Sequence, residues 1–360
     1  MFRGARILVA PLDWGLGHAA RCVPIIRTLL EQDAVPVIGA DKAPLALLRE
    51  EFPTLEHVRL PGMEVRYAAG RSQAWAMARQ LPRMLLQVRE EQGLLTSVRR
   101  RMQLHAVISD QRFGIRADGL PSVLVTHQVS PFSPFAQSNA RRINRRRIDR
   151  FDRCWIPDHA EAPGLAGDLS HGDRLPPQAR YIGPLSRFTK APAATGHTMW
   201  RTVSVISGPE PQRTLFEQAA LQQLRSIEGR HLVVTGQPGN TPRTEGPIEI
   251  TGHLPAAELQ AAMASADLIV SRTGYSTLMD LEALGRGALL VPTPGQPEQE
   301  YLGRLHAAGG HHAVQDQDGL DIARALQRPP TSSTPAGKNN ALLDAMADLA
   351  SLITSLPARP

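Results

Sequence analysis

Cysteine, aromatic residues and long apolar runs are all scarce in this chain of 360 residues. The two cysteines, Cys22 and Cys154, lie in apolar surroundings outside any CxxC or His/Cys cluster, which argues against a disulfide framework and against a zinc site. No segment reaches the roughly 18 uncharged apolar residues of a membrane span, and the apolar run at the N-terminus is too short for a signal peptide. These absences favour a reduced, cytoplasmic compartment and limit any membrane contact to a peripheral one.

The composition that remains is typical of a globular protein, with 42% hydrophobic and 21% charged residues. A chain of this length exceeds what one hydrophobic core usually organises, so two domains are expected. The net charge of +6 favours anionic partners such as nucleotides, nucleic acid or a membrane surface.

Short β-branched runs alternate with longer amphipathic stretches along the whole chain, which predicts βα units on mostly parallel sheets. A passage rich in Pro, Gly and Ala interrupts this alternation between residues 161 and 199, and the domain boundary is placed inside it. We therefore expect an α/β fold with two Rossmann-like, doubly wound domains facing a central cleft, over residues 1–185 and 186–330. A linker and a closing amphipathic helix are expected over 331–360.

The loop Gly15-Leu16-Gly17-His18-Ala19-Ala20 joins the first predicted strand to a helix. Its GxGxxA spacing fits a dinucleotide fingerprint, although "PLDW" separates it from the strand and an acidic ribose ligand is poorly supplied. A glycine-rich corner without a ligand is the structural alternative. His18 adds a chemical possibility, because an imidazole at a helix N-terminus can accept a proton from a sugar hydroxyl.

A second strand, turn and helix start occurs in "SGPEPQRT", Ser207 to Thr214. Pro211 suits a first helical turn, where free backbone N–H groups would face a diphosphate, and Arg213 would add positive charge. A helix cap built from ordinary turn residues explains the same octapeptide.

The richest segment is "ADLIVSRTGYSTLMDLEALGRGALLVPTPGQPEQEY". Ser271 to Gly274 end a predicted strand, and Gly274 opens a helix whose N-terminus suits a phosphate. Asp280 lies two turns into that helix, where a carboxylate would hold ribose hydroxyls. The next strand ends at Pro292 and is followed by a polar cluster at Gln296, Glu298, Gln299 and Glu300. Polar residues this dense at consecutive strand ends indicate a ligand site.

This segment resembles the C-terminal signature of the GT-B glycosyltransferases of family 28, which includes enzymes that add N-acetylglucosamine to a lipid-linked muramyl-peptide acceptor. The run "SRTGYSTLMDLEALGRGALLVP" is similar to the family's SRSG, acidic residue and "G.P.L.VP" pattern, and "PEQEY" to its glutamine pair, with Glu300 in place of the second glutamine. The loop "GLGHAARCVPII" resembles the family's N-terminal GGxGGH loop. The resemblance implies a UDP-sugar, with UDP-N-acetylglucosamine as the first candidate, held mainly by the C-terminal half.

The resemblance also implies roles for individual residues. Asp280 would meet the ribose, Gly274 and Arg272 the phosphates, and Gln299 the sugar hydroxyls, with Thr273, Gln296 and Glu300 beside them. His253 and Leu254, in "TGHLP", would contact the base. "IGPLSR" is similar to the interdomain "GNPVR", so Arg187 would reach a phosphate. The family's serine in its second phosphate loop falls on Pro209, which leaves Ser207, Gly208 or Glu210 for that contact, beside Arg213.

The mechanism implied is inverting transfer without a metal or other cofactor, in which a base deprotonates the acceptor hydroxyl. His18 is the first candidate for the base, Asp110 at the end of "AVISD" the second and Asp13 the third. A carboxylate directly after a strand is equally typical of a helix cap. Gly15 and Gly17 would form the acceptor-side wall of the cleft, close to the donor diphosphate. The acceptor itself, a glycan, a lipid-linked molecule or a small molecule, is left open.

The arginine run "RRINRRRIDRFDR", Arg141 to Arg153, places Arg142, Arg145, Arg146 and Arg150 about one helical turn apart. A solvated helix explains it, and a patch for an inner membrane face or an anionic acceptor is the sharper interpretation. Nucleic-acid binding is not expected, because no aromatic interleaving accompanies the charge. Two alternative functions stay open, an NAD-dependent oxidoreductase that uses the Gly15–Ala20 loop and a nucleotide-sugar-binding protein without catalysis.

Overall fold

A computed structural model describes residues 1–62, 73–132, 137–172, 174–188, 199–331 and 340–355. The expected linker passages at 189–198 and 332–339 lie outside the described residues. The remainder forms two sheets, each covered by helices, which follow one another along the chain.

The first sheet has seven parallel strands in the order β3-β2-β1-β4-β5-β6-β7. The predicted β-branched runs account for the first six of them, and β7 is a three-residue addition at one edge. The strands are β1 (Arg6–Pro11), β2 (Val35–Ala40), β3 (His57–Arg59), β4 (Ala106–Asp110), β5 (Ser122–Val125), β6 (Arg153–Ile156) and β7 (Ala179–Tyr181).

The second sheet repeats this topology, in the order β10-β11-β9-β8-β12-β13-β14. All its pairings are parallel except that of β10 with β11. Its strands are β8 (Trp200–Val205), β9 (His231–Val234), β10 (Arg243–Glu245), β11 (Ile248–Thr251), β12 (Ala266–Ser271), β13 (Leu289–Leu290) and β14 (Ala313–Val314). In both sheets the strand order reverses beside the first strand, which is where doubly wound sheets bind ligands.

Helices cover both faces of the sheets and carry the apolar faces that form the core. They are α1 (Leu16–Glu31), α2 (Lys42–Glu51), α3 (Gln73–Arg101), α4 (Gln137–Ile148), α5 (Asp168–His171), α6 (Gln212–Leu224), α7 (Ala256–Ala264), α8 (Tyr275–Leu284), α9 (Pro297–Ala308), α10 (Ile322–Gln327) and α11 (Ala341–Ser355). Cys22 and Cys154 are both free and buried. Among the described residues no helix is long and apolar enough to cross a membrane.

The C-terminal helix α11 packs back on the first half of the chain. Asp348 accepts hydrogen bonds from Arg153 Nε at 2.5 Å and Nη2 at 3.2 Å, and lies 3.5 Å from Arg180 Nη2. Ala345, Met346 and Leu349 are buried in the same core cluster as α1. The closing helix expected from the sequence is therefore present, and it fastens the chain end to the first sheet.

The arginine-rich helix α4 is anchored by Asn144, whose amide donates to the carbonyl oxygens of Gln128 and Val129 at 2.8 and 3.0 Å, and by the buried Ile148. Arg142 and Arg146 are exposed, and Ile143 keeps 51% of its surface exposed beside them. The charged face of this helix therefore includes an unburied apolar side chain.

Candidate functional site

The first turn of α1 and the first turn of α8 meet across the cleft between the two halves. Ser276 Oγ donates to the carbonyl oxygen of Gly17 at 2.9 Å. Gly15, the N-cap of α1, has φ of 155°, a conformation that residues with a Cβ rarely adopt. A Cβ on Gly17 would come within 2.8 Å of Ser276 Oγ. Glycine is therefore favoured at position 15 by the backbone conformation and at position 17 by the close approach of Ser276. The loop forms one wall of the cleft.

His18 lies at this junction with Asp110, and they are the first and second candidates for the base. His18 Nδ1 is 3.0 Å from Asp110 Oδ2 and 2.8 Å from Arg21 Nη2. Arg21 also donates hydrogen bonds to both carboxylate oxygens of Asp110, from Nε to Oδ2 at 2.8 Å and from Nη2 to Oδ1. Asp110 is fully buried, whereas the His18 side chain is 21% exposed. The imidazole is thus the member of the pair that an acceptor can reach.

The electrostatics of this cluster keep His18 neutral and Asp110 ionised. Burial and the positive charge of Arg21 lower the pKa of His18, against the opposing effect of Asp110. Burial disfavours the charged form of Asp110, but Arg21 and His18 outweigh it and hold the pKa of Asp110 below its ordinary value. A neutral imidazole backed by a carboxylate is the arrangement that general-base catalysis requires.

Asp13, the third candidate for the base, lies in a different environment. Its Oδ1 is 3.6 Å from Arg112 Nη1, and Arg112 is already paired with Glu91 at 2.8 Å. Within the described part of the chain, Asp13 Oδ1 is buried without a hydrogen-bond partner. Burial raises the pKa of Asp13 to about 6. The structure records no direct hydrogen bond between Asp13 and the His18 cluster among the described residues.

On the donor side, Gly274 is the N-cap of α8, as the sequence predicts. The first N–H groups of a helix have no intrahelical carbonyl partner, so the first turn of α8 offers donors and a positive dipole end to an anion. Thr273, fully buried before it, donates from Oγ1 to the Gln299 carbonyl oxygen at 2.9 Å and links α8 to α9.

Asp280 of α8 is contacted by the segment that connects the two sheets. Ser186 Oγ donates to Asp280 Oδ1 at 2.6 Å, and Arg187 Nε lies 3.6 Å from Oδ2. Burial raises the pKa of Asp280, against the opposing effects of Arg187 and Ser186. The structure therefore brings Asp280 and Arg187 together, as one site for the ribose and phosphate would require.

Arg272, predicted as a phosphate ligand, is directed away from the cleft in this structure. Its guanidinium is fully buried beneath the site, where it donates to the carbonyl oxygens of Val291 at 3.3 Å, Pro292 at 3.2 Å and Gln212 at 2.8 Å, and to Gln317 Oε1 at 2.6 Å. Its ring partner is Phe216, whose centroid is 4.2 Å from Cζ. Burial lowers the pKa of Arg272 to about 9. Arg272 holds the strand ends together from inside the second half, because its long side chain points into the interior of that half and not toward the cleft.

The loop after β8 also departs from the expectation. Arg213 is paired with Glu210 at 2.6 Å and with Glu217 at 2.7 Å, so its charge is already neutralised. Glu210 Oε2 accepts from the Thr214 backbone N–H at 3.3 Å, which puts a carboxylate at the N-terminus of α6. That carboxylate would repel a phosphate, so this geometry does not favour Glu210 and Arg213 as its ligands. Ser207 and Gly208 stay exposed or half-buried at the end of β8.

The polar cluster at the start of α9 is held by its own hydrogen bonds. Gln296 caps α9 by accepting from the Gln299 N–H at 2.5 Å, Gln299 Oε1 accepts from Thr293 N at 2.9 Å and Glu300 Oε1 accepts from Gly295 N at 2.7 Å. These bonds fix the loop after β13 at the cleft edge. Gln299 keeps an amide nitrogen that can donate to a sugar hydroxyl.

His253 and Leu254 lie on the loop after β11, at the border with the first half. His253 Nε2 is 3.5 Å from Glu50 Oε2, and Leu254 packs against the core cluster that includes α1. Burial lowers the pKa of His253. Both residues are at the carboxyl edge of the second sheet, and their contact with a base stays a prediction.

Three residues that carry no assigned role in the sequence analysis complete the site, namely Arg21, His127 and Glu298, of which Glu298 belongs to the predicted polar cluster. His127 Nε2 is 2.7 Å from Glu298 Oε1, and Gln128 Nε2 donates to Glu298 Oε2 at 2.6 Å. His127 also stacks on Tyr275 of α8, with ring centroids 4.0 Å apart and planes at 9°. The sequence marks His127 by its position after β5 and Glu298 by its place in the polar cluster, but no spacing rule pairs them.

Within the described ranges, no group of three or more His, Cys, Asp or Glu side chains is arranged to hold a metal ion. The charged groups at the cleft are instead paired with one another, through the His18, Asp110 and Arg21 cluster on one side and Asp280 on the other.

Comparison with known proteins identifies the second half. Residues 202–321 match the family model of the glycosyltransferase family 28 C-terminal domain. The resemblance stated from the sequence is thereby confirmed, and this half carries a glycosyltransferase domain. Curated relatives are UDP-N-acetylglucosamine--N-acetylmuramyl-(pentapeptide) pyrophosphoryl-undecaprenol N-acetylglucosamine transferases. One from Methylobacterium radiotolerans is 33% identical over 113 residues, 28% of this chain and 31% of that protein.

A second such transferase, from Rhodopseudomonas palustris, is 29% identical over 211 residues, 54% of this chain and 56% of that protein. The chain thus spans less than two thirds of either relative. Among solved structures, spinosyn rhamnosyltransferase SpnG complexed with thymidine diphosphate has a TM-score of 0.61 at 17% identity, covering 98% of this chain and 97% of that one. Acinetobacter baumannii MurG gives 0.51 at 12% identity, covering 98% and 93%. The fold is that of the GT-B glycosyltransferases, which confirms the predicted fold class.

Proposed function

We propose that this chain is an inverting glycosyltransferase that moves a hexosyl group, with N-acetylglucosamine as the first candidate, from a UDP-sugar to an acceptor hydroxyl. The observation that carries the proposal is the meeting of two elements across the cleft. The N-terminus of α8, at Gly274 and Tyr275, is suited to a diphosphate and lies against the loop that bears His18. The His18 imidazole is in turn paired with the buried carboxylate of Asp110. The match of residues 202–321 to a family 28 glycosyltransferase domain supports the same conclusion.

On the donor side, the proposal assigns the diphosphate to the first turn of α8, the Gly17 loop and Arg187. Arg272 and Arg213 are bound to other partners, and Arg187, which lies 3.6 Å from Asp280, is the arginine that the proposal assigns to the diphosphate. Asp280 would accept from a ribose hydroxyl beside its bond from Ser186. The proposal assigns the remainder of the donor site to the other predicted residues around the cleft, which are Ser207, Gly208, His253, Leu254, Thr273, Gln296, Gln299 and Glu300.

In the proposed reaction, neutral His18 takes the proton of the acceptor hydroxyl through Nε2 while Nδ1 is held by Asp110. The acceptor oxygen forms a bond to the anomeric carbon, and the bond from that carbon to the diphosphate oxygen breaks. The electron pair leaves with UDP, whose developing charge is stabilised by the α8 N-terminus and Arg187. Each step uses only groups of this chain, without a metal or other cofactor.

The acceptor is proposed to be a glycan, a lipid-linked molecule or a small molecule carrying a free hydroxyl, met at a membrane inner face. Arg142, Ile143 and Arg146 form an exposed basic and apolar strip on α4 that suits an anionic lipid surface. The lipid-linked acceptor named for the curated relatives is consistent with this placement. Sedimentation with vesicles tests the strip. We expect the parent to bind anionic vesicles but not neutral ones, and R142E/R146E to bind neither.

A thermal-shift screen of the full chain tests the donor. A ligand that binds only the folded state stabilises it by about 2.7 kcal/mol at 100 times its Kd. We expect UDP and UDP-sugars to raise the Tm more than dTDP-sugars, and NAD(P) to leave it unchanged. A Tm increase with NAD(P) and none with any nucleotide sugar would overturn the proposal in favour of a dinucleotide enzyme.

Binding alone does not establish transfer, so a second measurement separates the enzyme from a catalytically inactive binding protein. UDP release from UDP-N-acetylglucosamine is followed for the parent and for H18N, with water or added hydroxyl compounds as acceptor. We expect release by the parent that H18N loses while its UDP affinity is retained. Donor binding without any release by the parent would leave a binding role.

A further inference from the structure

Asp13 lies in the loop between β1 and α1, at the carboxyl edge of the first sheet, and His18 follows in the first turn of α1. Doubly wound sheets bind their ligands at this edge. The end of β4 contacts both residues, because Asp110 is bonded to His18 and Arg112 Nη1 lies 3.6 Å from Asp13 Oδ1. Asp13 and the proposed base therefore lie around the same strand end.

The carboxylate of Asp13 has one oxygen that no group in the described part of the chain satisfies. Only 10% of the side chain is exposed, and Oδ1 is buried without a hydrogen-bond partner. A buried acceptor that is left unpaired is costly, and most of all when it is charged, so folded proteins contain few of them. Oδ1 is thus available to a donor that a bound molecule supplies.

Arg112 is the nearest cation, but its guanidinium donates to other acceptors. Nε donates to Glu91 Oε1 at 2.8 Å, and Nη1 and Nη2 donate to the carbonyl oxygens of Leu60 and Pro61, each at 2.9 Å. The 3.6 Å between Nη1 and Asp13 Oδ1 is too long for a hydrogen bond. Arg112 therefore attracts the carboxylate of Asp13 without satisfying its free oxygen.

The backbone of Gly62 approaches the other oxygen of Asp13. A Cβ at position 62 would lie 2.2 Å from Asp13 Oδ2 and 2.8 Å from Cγ. The carboxylate is therefore held between the Gly62 backbone and the guanidinium of Arg112. A polar group fixed in this way can orient a ligand and select it by its hydrogen-bonding groups.

The charged groups that act on Asp13 come from the end of β2, from α2 and α3 and from the loop after β4. Arg112 and Lys42 are positive, and Asp41 and Glu91 are negative, so these surroundings carry no excess charge. A neutral hydroxyl is therefore a sufficient donor for the ionised Asp13. The net charge of +6 on the whole chain does not favour a cationic ligand.

We propose that Asp13 is an acceptor-binding residue, whose Oδ1 accepts a hydrogen bond from a second hydroxyl of the acceptor while the attacked hydroxyl faces His18. The acceptor is then a sugar or another polyol, and not a molecule with a single hydroxyl. This inference rests on the proposed function, since it places the acceptor beside His18. Burial raises the pKa of Asp13 to about 6, so its carboxylate is ionised and able to accept at neutral pH.

Two probe compounds test the proposal in a transfer assay with the nucleotide sugar that raises the Tm most. Methyl β-D-glucopyranoside carries several hydroxyl groups, whereas tetrahydropyranylmethanol keeps the ring and the primary hydroxyl alone. The measured quantity is the ratio of the two rates of product formation at equal probe concentration. We expect the parent to favour the glucoside by about tenfold or more, the factor that 1.4 kcal/mol produces, and D13A to lower the ratio to about one. A parent without this preference, or a D13A protein that keeps it, overturns the proposal.

Asp41 supplies a matched control at the same edge of the sheet. Its side chain is 8% exposed, and its Oδ1 accepts from Arg59 Nε at 2.8 Å. We expect D41N to keep the parent's ratio, because this carboxylate already has its donor. An equal loss in D41N and D13A would assign the effect to the charge of this edge and overturn the proposal. If D13A does not fold, D13N keeps an acceptor oxygen without the charge, and its ratio should lie between the parent's and one.

A measurement without any donor separates the failure of this inference from the failure of the proposed function. The ¹³C signal of the Asp13 carboxyl group, assigned with D13N, is titrated with pH in the full chain. A hydrogen bond to the ionised form favours that form, so we expect the glucoside to lower the pKa of Asp13 and tetrahydropyranylmethanol to leave it unchanged. A chain that transfers no sugar refutes the proposed function, while a lowered pKa still supports Asp13 as a hydroxyl-binding residue. A pKa that the glucoside leaves unchanged overturns the inference.

Discussion

The hydroxyl of Ser276 donates to the carbonyl oxygen of Gly17 at 2.9 Å, and it is the point at which the α8 N-terminus joins the opening glycine loop. This bond brings the donor-side dipole and the loop that carries His18 together at one place. The close approach is possible because residue 17 has no Cβ, which would lie 2.8 Å from Ser276 Oγ.

We therefore expect G17A to displace the Ser276 hydroxyl, lose the bond and weaken donor binding by about 0.5–1.5 kcal/mol, while the chain still folds. Calorimetric titration with UDP measures the loss. The double variant G17A/S276A, compared with S276A alone, provides the control, because removing the hydroxyl removes the 2.8 Å contact and leaves a milder 3.2 Å contact with Cβ of residue 276. The two changes should therefore be strongly non-additive. Additive effects would show that the two residues do not act through each other.

Arg272 separates a structural role from ligand binding. R272K cannot reproduce the four-way donation to the carbonyl oxygens of Val291, Pro292 and Gln212 and to Gln317, so buried acceptors lose their partners. We expect a loss of about 2–4 kcal/mol in the free energy of unfolding, measured by urea denaturation. The Kd for UDP should change by less than about threefold, the factor that 0.6 kcal/mol corresponds to. A large loss of affinity in a stable R272K protein would restore the phosphate role.

The elements of the fold were largely predictable because their apolar patterns are strong. The runs "VPVIGA" and "AVISD" correspond residue for residue to β2 and β4, and "AAELQAAMA" to α7. The edge strands Ala179–Tyr181 and Arg243–Glu245 were missed, since three-residue strands at an edge depend on pairing with a neighbour rather than on an apolar pattern of their own.

The sequence predicts only those parts of the site whose positions follow from the ends of the strands. His18 and Asp110 follow adjacent strands, so their contact could be anticipated from parallel topology. The direction of a long arginine side chain is set by packing, so the sequence does not reveal that Arg272 and Arg213 bind partners within their own half. The pairing of His127 with Glu298 depends on how the two halves meet, and no local sequence pattern encodes that.

The pKa of Asp13, raised to about 6 by burial, predicts a pH-dependent cost to stability. Between its ordinary value near 4 and about 6 the folded chain binds a proton that the unfolded chain has released, so stability falls as the pH rises through this window. D13N removes the buried charge and should be more stable than the parent at pH 7–8, with no difference below pH 4. Urea denaturation across this range measures it. A D13N protein that is less stable at pH 8 would contradict the assignment.

The His159–Glu282 pair predicts a fall in stability with rising pH as well, in a higher pH window. The hydrogen bond to Glu282 raises the pKa of His159, so the stabilisation is complete below about pH 6.5 and is lost as the pH rises through the raised value. E282Q should therefore cost about 0.2–1 kcal/mol near pH 6 and nothing near pH 9, by denaturant unfolding. E249Q is the matched control, because its partner Arg230, at 2.7 Å, keeps its charge throughout and its effect should not vary with pH.

Variants of His18 and Asp110 should distinguish an effect on the transfer reaction from an effect on folding stability. H18N removes a partly exposed imidazole, so we expect unfolding free energy and UDP affinity close to those of the parent, with transfer lowered about 10²–10⁴-fold as for other general bases. D110N leaves Arg21 as a buried charge without its carboxylate, which should cost about 3–5 kcal/mol in stability besides the loss of transfer. Initial rates of UDP release at saturating donor, compared with urea denaturation of the same preparations, distinguish the two. Full transfer activity in H18N would move the base to another residue, with Asp13 the next to examine.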